Sequence, residues 1–447
     1  MTKEFHNNGN GLTYHTITYG CQMNVRDSEI IAGLLENMGY SQQSRMEEAD
    51  LLVINTCSVR HSAENKVFGK LGELNKLKKS RPNMMIALGG CMAQLPEVTP
   101  RLKKLGVDIV FGTHNLHELP VLIEQYRATK RKVVQVWQNH GEIIESIPSG
   151  HKEGLSAFIN IMYGCNNFCS YCIVPYTRGR ERSRNPADII AEVERLPELG
   201  YKEVTFLGQN VNSYGQGLSQ KVDFADLLMM ADQIAGLDRI RFTTSHPKDM
   251  SDKLIDTIAA GDNICEHIHV PLQAGSNKIL KMMNRGYSRE HYLDLVGRMR
   301  ERIPGVAITS DLIVGFPGEA EGEFLETLDM VERVRFDAAF TFIYSIRSGT
   351  KAALMEGQLD LDTKRDRLLR LNELQYGIAA EYNRALEGSV QEVLVEGCSK
   401  TNDEKLTSRT RNNRIVIFSG SKDLIGKLIS VRITKGKTFS LFAETLD

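Results

Sequence analysis

Long apolar runs, an excess of one charge and densely spaced cysteines are all missing from this sequence, and each absence excludes a class of protein. A membrane-spanning helix needs about 20 consecutive apolar residues, and no run here approaches that length. The amino-terminal segment MTKEFHNNGNGLTYHT has no apolar signal-peptide core. Because its net charge is −1, the chain could bind a polyanion only through a local patch of positive charge. Its 8 cysteines are too few for a disulfide scaffold. These features predict a cytoplasmic protein with reduced thiols and no contact with a membrane.

Three of the cysteines, Cys165, Cys169 and Cys172, form a CxxxCxxC array. A zinc site would need a fourth ligand, and no Cys or His follows until His246, so zinc is the weaker interpretation. A cubane [4Fe–4S] cluster on three thiolates keeps one iron open. The spacing resembles that of the radical S-adenosylmethionine superfamily. This resemblance implies that the three cysteines are catalytic, and that S-adenosylmethionine binds the open iron and is cleaved to a 5′-deoxyadenosyl radical.

The first part of the chain, from residue 14 to about 115, repeats a strand–turn–helix pattern. Three β-like runs end at Cys21, Cys57 and Cys91, and a fourth covers 107–112. Such alternation predicts an α/β fold with a doubly wound parallel sheet, in which ligands bind beyond the carboxyl ends of the strands. Three equivalent thiolates there predict a second cluster site, whereas any one of them alone could be a buried apolar cysteine. Adjacent glycines suit close backbone approach to an inorganic group, namely Gly20, Gly89 and Gly90.

The motifs around these cysteines, followed by CxxxCxxC, resemble those of the methylthiotransferase family of radical S-adenosylmethionine enzymes, over nearly the whole chain. They are the runs Gly20 to Asn24, Asn55 to Arg60 and Gly89 to Gln94. The resemblance implies that Cys21, Cys57 and Cys91 hold an auxiliary [4Fe–4S] cluster. The expected cofactors are therefore two [4Fe–4S] clusters and S-adenosylmethionine.

A Gly-rich and polar segment, 137–155, has the composition of a linker. Six β-like runs separated by helical stretches follow it and predict an open, partial (βα)6 barrel of the radical S-adenosylmethionine type. Short strands with frequent glycines after residue 388 predict a small β-barrel. The predicted domains are 12–140, 152–385 and 386–447.

Barrel enzymes place their chemistry at the carboxyl ends of strands. After the second strand the superfamily often has Gly-Gly-Glu, whereas this chain has Gly208-Gln209-Asn210. Tyr171 resembles the aromatic residue that packs against the adenine in the superfamily. For each polar strand-end residue a turn or a strand cap is the alternative. The candidate S-adenosylmethionine ligands are Tyr171, Gln209, Asn210, Ser245, Gln273 and Asp311.

Two groups of arginines are candidates for RNA binding, although charge runs are often only solvated faces. Arg178, Arg180, Arg182 and Arg184 follow the CxxxCxxC array closely. The last 60 residues, 388–447, hold ten Lys or Arg against seven Asp or Glu and resemble the TRAM module, an OB-like RNA-binding barrel. A capping or dimerisation domain is the alternative. A donor-rich loop is predicted at 407–414, with the further RNA candidates Arg409, Arg411 and Arg414.

The resemblance implies tRNA methylthiotransferase activity. Three motif variants look most like the enzymes that act on isopentenyladenosine: Asn55 to Arg60, Ala63 to Lys66 and Pro175 to Arg180. The expected reaction converts N6-isopentenyladenosine (dimethylallyladenosine) beside the anticodon to its 2-methylthio derivative. The expected partners are the tRNA anticodon stem-loop, an electron donor and a sulfur or iron–sulfur donor. Threonylcarbamoyladenosine in tRNA and a ribosomal-protein aspartate are alternative substrates, and a non-catalytic iron–sulfur RNA-binding protein is the alternative class.

Overall fold

The computed structural model describes residues 9, 11–58, 61–139, 141, 143–145, 150, 154–400 and 402–446. The predicted linker 137–155 therefore lies partly outside the described residues, as do Val59 and Arg60 of the second cysteine motif. No helix in the described part of the chain is both long and apolar enough to cross a bilayer.

The amino-terminal part forms a six-stranded parallel sheet in the order β2-β1-β3-β4-β5-β6. Its strands are β1 (Thr13–Thr18), β2 (Ser41–Gln42), β3 (Leu51–Thr56), β4 (Met85–Gly90), β5 (Ile109–Phe111) and β6 (Val133–Gln135). Its helices are α1 (Gln22–Asn37), α2 (His61–Ser80), α3 (Thr99–Lys104) and α4 (Leu119–Thr129).

Helices cover both faces of this sheet. Leu35 of α1 and Leu122 of α4 pack into one hydrophobic cluster, while Leu71 of α2 and Leu102 of α3 pack into the other. Strands β3 and β4 are buried along their whole length, as central strands covered on both faces must be. The predicted doubly wound sheet is confirmed.

The central part is a partial barrel of six parallel strands. These are β7 (Ser156–Asn160), β10 (Glu203–Leu207), β11 (Arg239–Phe242), β12 (His267–His269), β13 (Ala307–Val314) and β14 (Ala338–Ile343). They form two three-stranded sheets, β11-β10-β7 and β12-β13-β14, linked by the parallel bridge between Ile240 and Ile264. Because β7 and β14 are the outer strands, the barrel is open between them, as predicted.

A short antiparallel pair, β8 (Met162–Tyr163) and β9 (Arg182–Ser183), flanks the CxxxCxxC loop. Polar side chains cap the amino ends of several barrel helices by accepting hydrogen bonds from backbone N–H groups of the first turn. The capping residues are Asn185, Asp223, Ser251, Ser288 and Asp360. The helices are α5 (Val174–Thr177), α6 (Pro186–Glu194), α7 (Phe224–Asp232), α8 (Asp252–Ala260), α9 (Asn277–Met282), α10 (Arg289–Arg302), α11 (Glu321–Val334) and α12 (Leu361–Ala385).

The carboxy-terminal part is a closed five-stranded barrel in the order β15-β16-β17-β19-β18, an OB-like arrangement. Its strands are β15 (Val390–Ser399), β16 (Asn402–Thr410), β17 (Ile415–Ser419), β18 (Leu428–Gly436) and β19 (Leu441–Thr445). The predicted loop at 407–414 is wrong in part, because its first half continues β16. Leu406, Ser408 and Thr410 alternate into the barrel, so a polar sequence still has the two-residue period of a strand.

Candidate active site

Cys21, Cys57 and Cys91 lie beyond the carboxyl ends of β1, β3 and β4, which are neighbours in the sheet. Asn24 connects two of these strand ends. The Cys21 backbone N–H donates to Asn24 Oδ1 at 3.3 Å, and Asn24 Nδ2 donates to the Thr56 carbonyl at 3.1 Å. The structure therefore brings the three predicted ligands to one edge of the sheet.

The glycines beside these cysteines make room for protein atoms, which differs from the expectation that they make room for an inorganic group. A Cβ added at Gly20 would lie 2.8 Å from Cys57 Cβ, and one at Gly90 would lie 2.3 Å from the Thr56 carbonyl oxygen. The space beside Gly89 is filled by the Phe111 ring.

Cys165, Cys169 and Cys172 lie on the loop between β8 and α5. Two side chains that follow α9 hold this loop. Asn284 Nδ2 donates to the carbonyls of Asn167 and Phe168, both at 3.1 Å. Arg285, a buried residue, donates through Nη1 to Cys169 Sγ at 3.2 Å. The sequence carries no signal for this contact, because Arg285 and Cys169 are 116 residues apart.

Both cysteine sets have the chemistry of cluster ligands. None of the eight cysteines forms a disulfide. Burial raises the pKa of Cys91 to about 11, and burial together with the neighbouring Cys169 raises the pKa of Cys172 to about 12. Such thiols lose their protons when they bind metal. Among the described residues no three His, Cys, Asp or Glu side chains converge on a single metal ion. A cubane cluster has a different requirement, since each thiolate binds its own iron.

The candidate S-adenosylmethionine ligands lie mostly where strands of the barrel end. Gln209 and Asn210 follow β10, Ser245 follows β11 and Gln273 follows β12. Three buried oxygens among them have no hydrogen-bond partner: Gln209 Oε1, Asn210 Oδ1 and Ser245 Oγ. Buried polar atoms without a partner call for a ligand or a water molecule, so this edge of the barrel fits a polar cofactor.

The other two candidates are placed differently. Tyr171 lies inside the cysteine loop, with its hydroxyl 3.5 Å from Arg285 Nη1 and its ring edge-on to Phe316. Asp311 lies within β13 rather than at its end, and its Oδ1 is 3.6 Å from His269 Nε2.

The edges that carry the two cysteine sets face each other across the domain junction. Arg178, which follows the CxxxCxxC loop, pairs with Asp27 of α1 at 2.6 Å. Gln209 of the barrel contacts the sulfur of Met23, two residues after Cys21. Met23 lies in the motif run Gly20 to Asn24, but nothing in the sequence gives it this contact. Asp27 lies outside every motif run.

The four arginines after the loop are not equivalent. Arg178 and Arg184 are buried, and Arg184 pairs with Glu145 and Glu192 at 2.7 and 2.8 Å. Arg182 is half-buried and donates to the Gly141 carbonyl at 2.6 Å. Arg180 is exposed, with its guanidinium 4.4 Å from the centre of the Phe168 ring.

The arginines of the carboxy-terminal barrel have protein partners as well. Arg411 pairs with Glu266 at 2.7 Å, at the amino end of β12, and Arg414 pairs with Asp337, at the amino end of β14. Arg409 pairs with Glu396 at 2.8 Å. From the barrel side, Arg241 donates to the carbonyls of residues 410 and 411. The β16–β17 turn therefore docks against the amino ends of the barrel strands.

Another surface of the carboxy-terminal barrel combines aromatic rings with lysines, and we call it the Phe439 face. The Nζ atoms of Lys437 and Lys405 lie 5.0 and 5.7 Å from the centre of the Phe442 ring. Phe439 is 68% exposed and lies edge-on to Tyr376 at 5.0 Å. These four barrel residues, together with Tyr376 of helix α12, define the face.

The inner side of β14 is apolar and open to solvent. Thr341 faces helix α12, where it bonds Asn372, so Phe340 and Phe342 face into the barrel, 59% and 39% exposed. The His269 ring lies 6.0 Å from Phe340. We call Phe340 and Phe342 the open wall. The alternation in AAFTFI carries the signal that could have predicted it.

Three family descriptions match parts of the chain: "Radical SAM superfamily" over residues 159–331, "Uncharacterized protein family UPF0004" over 13–112 and "TRAM domain" over 384–446. Among solved structures, a radical S-adenosylmethionine methyltransferase, TsrM, from Kitasatospora setae is similar in fold. The TM-score is 0.55 at 14% identity, over 76% of this chain and 75% of that chain.

Relatives with much higher identity share one name. A protein of Syntrophomonas wolfei named tRNA-2-methylthio-N(6)-dimethylallyladenosine synthase is 69% identical over 98% of this chain and 98% of its own length. A protein of Carboxydothermus hydrogenoformans with the same name is 54% identical over 96% of this chain and 98% of its own. The chain therefore belongs to the tRNA-2-methylthio-N6-dimethylallyladenosine synthase family of radical S-adenosylmethionine enzymes.

Proposed function

We propose that this enzyme adds a methylthio group to carbon 2 of N6-dimethylallyladenosine beside the anticodon of tRNA. It would use S-adenosylmethionine, a radical [4Fe–4S] cluster on Cys165, Cys169 and Cys172, and an auxiliary cluster on the amino-terminal cysteines. The observation that carries the proposal is that the edges bearing the two three-cysteine sets face each other across the junction bridged by Arg178 and Asp27.

The residues of the barrel have defined tasks in this proposal. The radical cluster and S-adenosylmethionine, when bound, supply the one-electron chemistry that an unactivated aromatic C–H bond requires. Arg285 orients Cys169 through its 3.2 Å hydrogen bond. The unpaired oxygens of Gln209, Asn210 and Ser245 are available to accept hydrogen bonds from the amino group of the cofactor. Burial of Cys165 and Cys169 keeps water away from the reaction.

The open wall supports a substrate with an apolar N6 substituent. Phe340 and Phe342 offer exposed rings inside the barrel, and burial of an apolar group against them is favourable by about 25 cal/mol per Å². Asp311, on the adjacent strand, adds a carboxylate near this wall. An anionic threonylcarbamoyl group would be repelled there, whereas the neutral dimethylallyl group would not.

The Phe439 face is our candidate for the tRNA contact. Exposed rings stack on unpaired bases and lysines bind the adjacent phosphates, so the face has the composition of a single-strand binding surface. Arg180, exposed beside the radical-cluster loop, is placed to guide the target nucleotide. RNA contacts by Arg409, Arg411 and Arg414 stay a prediction. The guanidinium groups of these residues are engaged in ion pairs, so RNA would have to compete with carboxylates for them. We also place the enzyme in the cytoplasm, with separate electron and sulfur donors.

Analysis of tRNA nucleosides tests the proposal. The reconstituted, reduced enzyme is incubated with S-adenosylmethionine and tRNA bearing dimethylallyladenosine, and the nucleosides are analysed by mass spectrometry. We expect the 2-methylthio derivative from this tRNA and none from tRNA bearing threonylcarbamoyladenosine. Product from the second tRNA alone would overturn the substrate assignment.

Variants separate the two cluster sites. Cys169→Ala should abolish formation of 5′-deoxyadenosine. A variant with Cys21, Cys57 and Cys91 all changed to Ala should keep about half of the iron, because one of two equal clusters is lost. It should still cleave S-adenosylmethionine but form no methylthio product. Undiminished product from this triple variant would show that the amino-terminal cysteines do not take part.

A further inference from the structure

Arg178 occupies an unusual place for an arginine that follows a catalytic loop. Its residue is only 6% exposed. Arg178 lies six residues after Cys172 and ends helix α5, where its backbone N–H donates to the Val174 carbonyl at 2.8 Å. The Thr113 hydroxyl, just after β5, donates to the neighbouring Thr177 carbonyl at 2.6 Å. The chain therefore runs directly from the radical-cluster loop to the carboxyl edge of the amino-terminal sheet.

At this edge the Arg178 guanidinium lies beside the auxiliary cysteines. Its Nη2 is 2.6 Å from Asp27 Oδ2, on the helix that begins directly after Cys21. Helix α5, which ends at Arg178, packs against the segment Cys91–Gln94. The buried ion pair of Arg178 and Asp27 therefore lies close to the segments that carry Cys21 and Cys91.

We propose that Arg178 raises the reduction potential of the auxiliary cluster and that Asp27 counterbalances it. The inference rests on the proposed function, because the cluster on Cys21, Cys57 and Cys91 is part of that proposal. Reduction adds one negative charge to a cluster, and a buried cation nearby favours the more negative state. Hydrogen bonds and charges around a cluster tune its potential in this way. Arg178 would thereby act on the auxiliary cluster from the segment that follows the radical cluster.

The test needs a signal from one cluster only. The full chain with Cys165, Cys169 and Cys172 changed to Ala provides it, since only the amino-terminal site can then hold iron. The midpoint potential of this protein is measured by redox titration followed by electron paramagnetic resonance. In this background we expect Arg178→Gln to shift the potential to more negative values. Asp27→Asn, which removes the counter-charge, should shift it to more positive values.

Two controls accompany these variants. Arg178→Lys keeps the charge and should stay closer to the parent potential than Arg178→Gln. Arg180→Gln removes an exposed charge that water screens, and should leave the potential unchanged.

Opposite shifts for the two members of the ion pair would support the proposal. Shifts in the same direction would indicate a distorted site and would overturn it, as would unchanged potentials. A background protein that binds no iron would overturn the cluster assignment itself.

Discussion

At the scale of single residues, Gly90 shows how tightly the auxiliary site is built. Its φ of 95° lies in the left-handed region that L-residues rarely adopt. An added Cβ would lie 2.3 Å from the carbonyl oxygen of Thr56, the residue before Cys57. Because Gly90 also precedes Cys91, a side chain here would disturb two of the three proposed cluster ligands together.

We expect Gly90→Ala to lower the free energy of unfolding by about 2–5 kcal/mol, from backbone strain and overpacking. It should also lower the iron bound at the auxiliary site. Gly72→Ala is the matched control. Gly72 lies in α2, and an added Cβ there meets nothing within 4 Å, so the substitution should raise stability by about 0.5–1 kcal/mol. Urea unfolding of both variants under reducing conditions checks this, and equal effects would contradict the close packing at Gly90.

At the scale of elements, the strands of the carboxy-terminal barrel divide two tasks between them. The β16–β17 turn docks on the larger barrel through Arg411 and Arg414. The Phe439 face combines Lys405 of β16 with Phe442 of β19 and the β18–β19 connection that carries Lys437 and Phe439. Docking and the proposed RNA binding can therefore be altered separately.

Salt dependence of tRNA binding distinguishes the two tasks. Lys405→Gln combined with Lys437→Gln should reduce the slope of log affinity against log salt by about 1.4–1.8, since two phosphate contacts are lost. Phe439→Ala should weaken binding by about 1–3 kcal/mol and leave the slope unchanged, because stacking releases no counterions. Lys422→Gln, an exposed lysine outside the face, serves as the control. If the double variant keeps the parental slope, the tRNA is bound elsewhere.

At the scale of the whole molecule, a chain of charges joins the amino-terminal domain to the barrel. Glu192 of α6 contacts both Arg26 of α1 and Arg184, whose side chains are 5% and 10% exposed. Arg184 also pairs with Glu145. The relative position of the two cysteine sets depends on this junction. We therefore expect its ion pairs to affect activity as well as stability.

Glu192→Gln should destabilise the protein by about 2 kcal/mol, because two buried guanidinium groups lose a shared carboxylate. Among the described residues, Arg26 then keeps Glu29 and Arg184 keeps Glu145. Glu194→Gln, on the same helix but exposed, should change stability by less than about 0.5 kcal/mol. Thermal unfolding of the two variants is the measurement. A similar melting temperature for both would show that the junction does not depend on this charge network.

The sequence by itself determined the two cysteine sets, the α/β order and most of the barrel helices. These features depend on local information: Cys57 directly follows an apolar strand, CxxxCxxC needs only nearby residues, and capping residues such as Asp223 and Ser288 mark helix starts. The polar strand β16 was not predicted, because its period of two was hidden by its composition.

Only the tertiary structure decided what the arginines do. Arg178, Arg180 and Arg184 look alike along the chain, yet Arg178 and Arg184 are buried against carboxylates and Arg180 is exposed. Arg411 likewise binds Glu266, 145 residues away in sequence. The physical reason is that the interaction energy of a charged side chain depends on its burial and on its partners. A partner that is distant in sequence becomes a neighbour only when the chain has folded.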